Sequence, residues 1–238
     1  MKHSIVIPAH NEAVNLEMFV SRFIDDVCRE IPDVNIEVLL IENGSTDGTL
    51  ECANRLKFKY PNVVHVFSNK RGSYGEAIKR GMLESKGDNL SILECDFLDV
   101  GFVVKSIKLF ETTKTRFIVA SKKHPESIDR RPFKRRVLTL VFNRILRMFL
   151  DYPGTDTHGL KSINGEFAKE LCSLATTTDE IFQTEIVLIA WRLGDDILEL
   201  PIQIKELRSA PVSIRRRFPM VLDLIRQLRR SLKRFPPR

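Results

Sequence analysis

The sequence predicts an α/β fold, a mostly parallel sheet with helices on both faces, and three observations carry that expectation. Short apolar runs alternate with stretches of helical spacing through the first half of the chain. The links between them are short, the pattern of strand–helix–strand units whose strands pair in parallel under helical cover. Polar clusters fall just after three of the runs, and sheets of this kind bind ligands beyond the carboxyl ends of their strands.

Taken in order, residues 4–8 form a short buried strand. Helical spacing runs over 11–30, with Leu16, Phe19, Val20, Phe23 and Val27 on one face. A second strand at 36–41 is followed by a helix from Asp47, a strand at 63–67 and a helix over about 74–85. A strand at 89–93, a helix at 102–110 and a strand at 116–120 complete the series. Past Ser121 the rhythm breaks. A basic loop, 122–136, leads into an apolar helix ending near Leu150, and a turn-rich connector covers 151–159. Helices near 165–174 and 181–193 precede a strand at 197–204. The segment 218–232 is amphipathic, with Phe218, Val221, Leu222, Ile225, Leu228 and Leu232 along one face. The 238 residues suit one domain and contain no repeat.

Apolar residues make up 43% and charged residues 29% of the chain, which is the balance of a globular protein. No charge-free run approaches the ~20 residues that cross a bilayer, so a spanning helix is excluded. The first eight residues are strand-like and lack a signal-peptide core. Cys28, Cys52, Cys95 and Cys172 form no C-x-x-C pair and read as reduced, mostly buried thiols of a cytosolic protein. The net charge of +7 is unevenly placed: 205–238 holds eleven Lys and Arg against two acids, and 122–147 holds nine against Glu126 and Asp129. Phosphates, an anionic membrane surface or nucleic acid would suit such segments.

The three polar clusters are Pro8-Ala-His-Asn-Glu12, Glu42-Asn-Gly-Ser-Thr-Asp-Gly-Thr49, and Glu94-Cys-Asp96 with Asp99. Each has an ordinary reading, because Asn11 or Asp47 can cap a helix and the glycines can make turns. Their convergence on one sheet edge is what points to a site. Glu94 and Asp96, two residues apart at a strand exit, can reach one hard cation and would hold Mg²⁺ or Mn²⁺ with positions left for substrate phosphates. Arg71-Gly-Ser-Tyr-Gly75 precedes a helix; Gly72 and Gly75 permit close backbone approach, and Arg71 suits a phosphate. The segment is neither a P-loop nor a dinucleotide G-x-G-x-x-G. Of the five histidines only His10 lies in a motif.

Together, Ile5-Val-Ile-Pro-Ala-His-Asn-Glu12, Glu42 to Thr49, Arg71-Gly-Ser-Tyr-Gly-Glu-Ala77 and Leu93-Glu-Cys-Asp-Phe-Leu-Asp99 resemble the inverting family-two glycosyltransferases. The second half resembles the polyprenyl-phosphate sugar synthases within that family, of the dolichol-phosphate mannose synthase type. Ala120-Ser-Lys122 is similar to their Gly-Ser-Arg, and Arg135, Thr139 and Asn143 fall at the spacing of their Arg…Ser…Asn helix. Phe182-Gln-Thr-Glu185 matches their Phe-Gln-x-Glu, and Glu199-Leu-Pro201 with Arg208 and Ser213 follows their ending. The chain departs from the pattern at Glu94, where the usual D-x-D begins with Asp, at Glu42-Asn43 for a paired Asp, and at Leu98 and Ile214.

The resemblance implies the three-layer, A-type nucleotide-diphosphosugar transferase fold over 1–210, with 211–238 as a basic amphipathic tail of the same domain. It implies a nucleotide-diphosphosugar donor held by Pro8, His10, Asn11, Glu12, Glu42, Asn43, Arg71, Gly72 and Gly75, and a metal on Glu94 and Asp96. Thr139, Asn143, Gln183, Glu185 and Ser213 are its further substrate contacts. A polyprenyl phosphate acceptor is already ionised and needs cations more than a base, a role that suits Lys122, Arg135 and Arg208. The tail helix, and the apolar helix before Leu150, would then meet either an anionic membrane surface or the protein's own core. This places a peripheral protein at the cytoplasmic face of a membrane, with no nucleic acid expected.

Two rivals remain open on the sequence. One transfers the sugar to a saccharide hydroxyl, with Asp156 or Glu185 as the base. The other is a non-catalytic basic module that binds membrane or nucleic acid on a degenerate transferase fold.

Overall fold

A computed structural model of the chain describes residues 1–70, 72–204 and 214–236, the last with backbone alone over 214–222. The first half alternates without interruption: β1 (Lys2–Ala9), α1 (Leu16–Glu30), β2 (Asn35–Asn43), α2 (Thr49–Lys59), β3 (Val64–Asn69), α3 (Tyr74–Glu84), β4 (Asn89–Ile92), α4 (Val100–Thr112) and β5 (Phe117–Ser121). The second half comprises β6 (Ile128–Asp129), α5 (Phe133–Leu150), β7 (Lys161–Asn164), α6 (Gly165–Leu174), α7 (Phe182–Arg192), β8 (Ile197–Pro201), β9 (Gln203–Ile204) and α8 (Ile214–Leu232).

Seven strands form one sheet in the order β3-β2-β1-β4-β7-β5-β8, and β6 pairs with β9 in a small second ladder. Side chains alternate across the strands, so Ile5, Ile7, Val38 and Leu40 enter one core with α1, α2 and α4. Val6, Leu39 and Ile41 enter the other, with α3, α6 and α7. The predicted three-layer architecture is therefore present. The register aligns the exits of the central strands: Ala9 lies opposite Glu42, and the Leu93 amide, just past β4, donates to the Val6 carbonyl.

One strand breaks the parallel rule. β7 runs antiparallel to both β4 and β5. Its sequence, Lys-Ser-Ile-Asn, contains one apolar residue and so carries no strand signal of its own. Two further differences have local causes. α1 starts at Leu16 rather than Asn11, because Asn11 has a left-handed φ of 54° and the Asn15 and Leu16 amides both fold back on the Glu12 carbonyl. The run at 197–204 divides at Ile202, whose side chain is buried while the chain crosses from the large sheet to the small one.

The apolar face of α8 packs on the protein itself where it is described. Ile225, Leu228 and Leu232 are buried, with Leu228 and Leu232 in the core shared with α7 and α5. Phe218, Val221 and Leu222 lie outside the described side chains. Cys52, Cys95 and Cys172 are buried free thiols and Cys28 is an exposed one. Among the described residues no helix is long and apolar enough to cross a membrane.

Candidate functional site

A cavity of about 350 Å³ opens where β1, β2 and β4 end. Pro8, Ala9, His10 and Glu12 come from the β1 exit, Asn43 from β2, and Glu94, Cys95 and Asp96 from the turn after β4. Tyr74 at the start of α3, Gln183 in α7 and His158 from the connector before β7 close its far side.

The β1 and β2 exits are fastened to each other by side chains reading backbone groups. His10 Nδ1 donates to the Asn43 carbonyl at 2.8 Å. The ring's Nε2 lies 3.1 Å from the Asn11 side-chain nitrogen. Asn11 Oδ1 in turn accepts from the Thr46 amide, and Thr49 Oγ1 accepts from the Glu12 amide. Asn43 Oδ1 accepts from Ser73 N, which joins the β2 exit to α3.

Three donor-site expectations are corrected here. Glu42 is buried beneath the cavity wall, and its carboxylate accepts from Ser45 N and Ser68 Oγ, both at 2.5 Å. Burial opposes its ionisation, but those bonds outweigh it and hold the carboxyl below its ordinary value. Asn11 also stands outside the cavity lining, as a loop fastener. Gly75 does allow close approach, but to protein: a Cβ there would sit 1.9 Å from the Asp179 carbonyl oxygen and 2.8 Å from Phe182 Cβ. Gly72 is the glycine beside the cavity wall, where a Cβ would press on the Asn43 carbonyl at 3.0 Å. Arg71 lies outside the described residues.

Glu94 and Asp96 face the cavity from a tight turn, closed by the Phe97 amide on the Glu94 carbonyl at 2.9 Å. Removal from water raises the Glu94 carboxyl above its ordinary value; Lys122 pulls it down, and Asp96 pushes it up. Two converging carboxylates whose charges oppose each other in a half-buried cleft match the donor set of a hard divalent cation. Asp99 does different work, accepting from Phe102 N at 2.8 Å as the N-cap of α4.

Residues 4–162 match the family model described as glycosyl transferase family 2. The chain belongs to glycosyl transferase family 2. Among relatives of this glycosyltransferase, glycosyltransferase AglD of Haloferax volcanii is 27% identical over 201 residues, covering 84% of this chain and 32% of that protein. The dolichyl-phosphate beta-glucosyltransferase ALG5A of Trichomonas vaginalis is 26% identical over 238 residues, 94% of this chain and 72% of that one. Among solved structures, glucosyl-3-phosphoglycerate synthase from Mycobacterium tuberculosis, in complex with Mn²⁺, uridine diphosphate and glucosyl-3-phosphoglycerate, superposes with a TM-score of 0.69. At 20% identity, over 98% of this chain and 80% of that one, the likeness establishes a shared fold.

In the second half of this glycosyltransferase the polar residues are mostly engaged with one another. Lys122 Nζ lies 2.8 Å from Asp156 Oδ2 with both side chains nearly buried, so its charge is compensated. The lysine expected to meet an acceptor phosphate is thus paired with Asp156 in this structure. Asp156 also accepts from the amides of Lys122, His158 and Gly159. Burial opposes ionisation there as well, yet Lys122 and these donors hold the carboxyl down to about 2. Asn143 Nδ2 donates to the Thr155 carbonyl, and Thr139 Oγ1 bonds the Arg135 carbonyl at 3.1 Å and Arg131 at 3.3 Å. Neither residue lines the cavity, nor does Arg135, which stays on α5 beside them. Helix α5 reaches the cavity wall indirectly, by the edge-to-face contact of Phe142 with His158.

Glu185 needs the plainest correction. It is fully buried in α7 and accepts from Thr176 N and Oγ1, Thr177 N and Oγ1, and Ser231 Oγ of α8. It anchors the 176–177 loop and the last helix instead of meeting a substrate. Arg208 and Ser213 lie outside the described residues.

Sequence reasoning missed Tyr74, His158 and Lys161. Tyr74 lies inside the Arg71–Gly75 segment, of which the sequence singled out only Arg71, Gly72 and Gly75. Lys161 is wholly buried behind the cavity, where burial lowers its ammonium to about 7, and nothing in an isolated Lys signals burial.

Proposed function

We propose that this glycosyltransferase moves a sugar from a nucleotide-diphosphosugar to a polyprenyl phosphate, acting as a peripheral protein at the cytoplasmic face of a membrane. The observation that carries the acceptor half of the reading is the state of Asp156 and Glu185. A hydroxyl acceptor must lose its proton to a nearby base. The two carboxylates the sequence offers for that task are both locked: Asp156 by Lys122 and three amides, Glu185 by Thr176, Thr177 and Ser231. A carboxyl held near 2 is a poor proton acceptor at neutral pH. A phosphate acceptor arrives ionised and asks for neither. The name of the Trichomonas relative, a dolichyl-phosphate transferase aligned over 94% of this chain, supports the same reading.

In this reading Pro8, His10, Glu12 and Asn43 hold the nucleoside, with the His10 ring fixed by Asn43 and Asn11. Glu94 and Asp96 would hold Mg²⁺ or Mn²⁺; the Mn²⁺ in the Mycobacterium structure is consistent with this. Once bound, the cation would supply Lewis-acid stabilisation to the charge that develops on the leaving nucleoside diphosphate. The basic segment that includes Arg130, Lys134 and Arg136 draws the acceptor phosphate toward the site.

We assign the membrane contact to α5, since the described part of the α8 apolar face is buried in the protein's own core. Phe133, Val137, Leu140, Val141 and Met148 recur at helical spacing along its outer face, with Phe133 71%, Leu140 50% and Met148 66% exposed. Arg144 falls within that stripe and Arg147 at its edge, where their long side chains could reach anionic headgroups while the apolar residues meet the lipid.

The test presents the protein with a nucleotide-sugar panel in Mn²⁺ and compares a polyprenyl phosphate with the matching polyprenol as acceptor. Transfer to the phosphate alone is expected. Faster transfer to the alcohol would overturn the acceptor assignment.

A further inference from the structure

Because β7 runs against its neighbours, its entry rather than its exit lies at the ligand edge of the sheet. Lys161, the first residue of β7, pairs with Ile92 at the end of β4 and with Val119 near the end of β5. The residues just ahead of it therefore stand level with Glu94 and Asp96. Across this edge the strands follow one another as β2, β1, β4 and β7. The cavity lining keeps that order: Asn43, then His10 and Glu12, then Glu94 and Asp96, then His158. A nucleotide-diphosphosugar is itself a row of nucleoside, diphosphate and sugar. With the nucleoside against the β1 and β2 exits and the diphosphate at the carboxylates after β4, the sugar falls at the entry to β7.

His158 is exposed there, yet it is held at three points. Its amide donates to Asp156 Oδ1 at 2.9 Å, and its Nδ1 lies 3.2 Å from Thr157 Oγ1. Its ring meets Phe142 edge to face, with centroids 5.3 Å apart. The backbone beside it is seated on β5, since a Cβ at Gly159 would come 2.0 Å from the Ala120 carbonyl oxygen. With Nδ1 turned to Thr157, Nε2 is the ring's other hydrogen-bonding atom, and an imidazole nitrogen gives or takes a hydrogen bond according to tautomer. A sugar hydroxyl does both.

We propose that His158 hydrogen-bonds a hydroxyl of the transferred sugar through Nε2, and that Phe142 of α5 is the positioning residue that fixes its ring. The inference rests on the nucleotide-diphosphosugar reading of the site. A ring held before the substrate arrives loses little freedom on binding it, so the contact adds to affinity for the sugar. The nucleoside and diphosphate lie at other strand ends and gain nothing from it.

The test is isothermal titration of UDP, UDP-glucose, GDP and GDP-mannose, each with Mn²⁺, into the wild type, His158→Ala, Phe142→Leu and Phe142→Tyr, with melting temperatures recorded in parallel. A hydrogen bond to the sugar predicts about a fivefold loss of nucleotide-sugar affinity in His158→Ala, with the matching diphosphate affinity and the melting temperature unchanged. Phe142→Leu should show a smaller loss, again confined to the nucleotide-sugar, and Phe142→Tyr, which keeps an aromatic ring at that place, should bind as the wild type does. A purely structural role would lower both affinities together. Equal losses of diphosphate and nucleotide-sugar affinity in His158→Ala, or no loss of either, would overturn the sugar contact and leave the donor reading standing. If neither diphosphate binds the wild type, the donor reading and the sugar contact fail together.

Discussion

Lys122 and Asp156 form a nearly buried ion pair, Nζ to Oδ2 at 2.8 Å, at the first residue of the basic segment. The pair joins the β5 exit to the connector ahead of β7, and Asp156 also gathers the amides of His158 and Gly159. It therefore shapes the wall that His158 contributes to the cavity.

Removing one partner leaves the other charge buried, so Asp156→Asn should lose roughly 3 kcal/mol of unfolding free energy at neutral pH. The folded-state carboxyl is held near 2, below its unfolded value, so its contribution is complete above about pH 4 and disappears as the pH falls toward 2. Urea unfolding across that window should show the wild type and Asp156→Asn converging by about 2 kcal/mol. Parallel curves would mean that the pair contributes nothing that depends on ionisation.

Gly75 gives a packing prediction. With its missing Cβ replaced, Gly75→Ala drives a methyl into the Asp179 backbone, which cannot yield as a flexible side chain would. A loss of at least ~2 kcal/mol is expected, read by thermal unfolding. Unchanged stability would mean that the start of α3 is not seated against the 179–182 segment.

The two apolar helices should respond oppositely. Leu228→Ala in α8 opens a cavity in the core and should lower stability by about 2–5 kcal/mol. Leu140→Asp with Met148→Asp on α5 should leave stability within about 1 kcal/mol and weaken binding to vesicles containing anionic lipid. Added salt should weaken wild-type vesicle binding as well, because Arg144 and Arg147 act through a screened field. Vesicle binding unaffected by the α5 changes would remove that helix from the membrane contact.

Much of this was legible in the chain. The strand exits after Pro8, Asn43 and Leu93 could be brought together because alternating apolar runs fix a parallel sheet, and its register then aligns their carboxyl ends. Burial of individual polar residues was not legible. Glu42 and Glu185 sit in motifs and resemble substrate contacts in one dimension, while in three dimensions each is a buried acceptor for neighbouring hydroxyls and amides. Lys161 gave no strand signal, yet it occupies the antiparallel strand at the centre of the sheet. Tyr74 shows the converse: nothing in its one-dimensional setting between two glycine-bearing positions says that its ring lines the cavity.

In the proposed reaction Glu94 and Asp96 serve a transfer from nucleotide-sugar to lipid phosphate. Its most direct test follows a radiolabelled sugar from the nucleotide into the organic phase, with a polyprenyl phosphate and Mn²⁺, in the wild type and Asp96→Asn. Label is expected in the lipid fraction for the wild type, with its abolition by EDTA and a fall of at least about a hundredfold in Asp96→Asn at unchanged melting temperature. Lipid labelling that persists at full rate in Asp96→Asn, or without divalent cation, would contradict it.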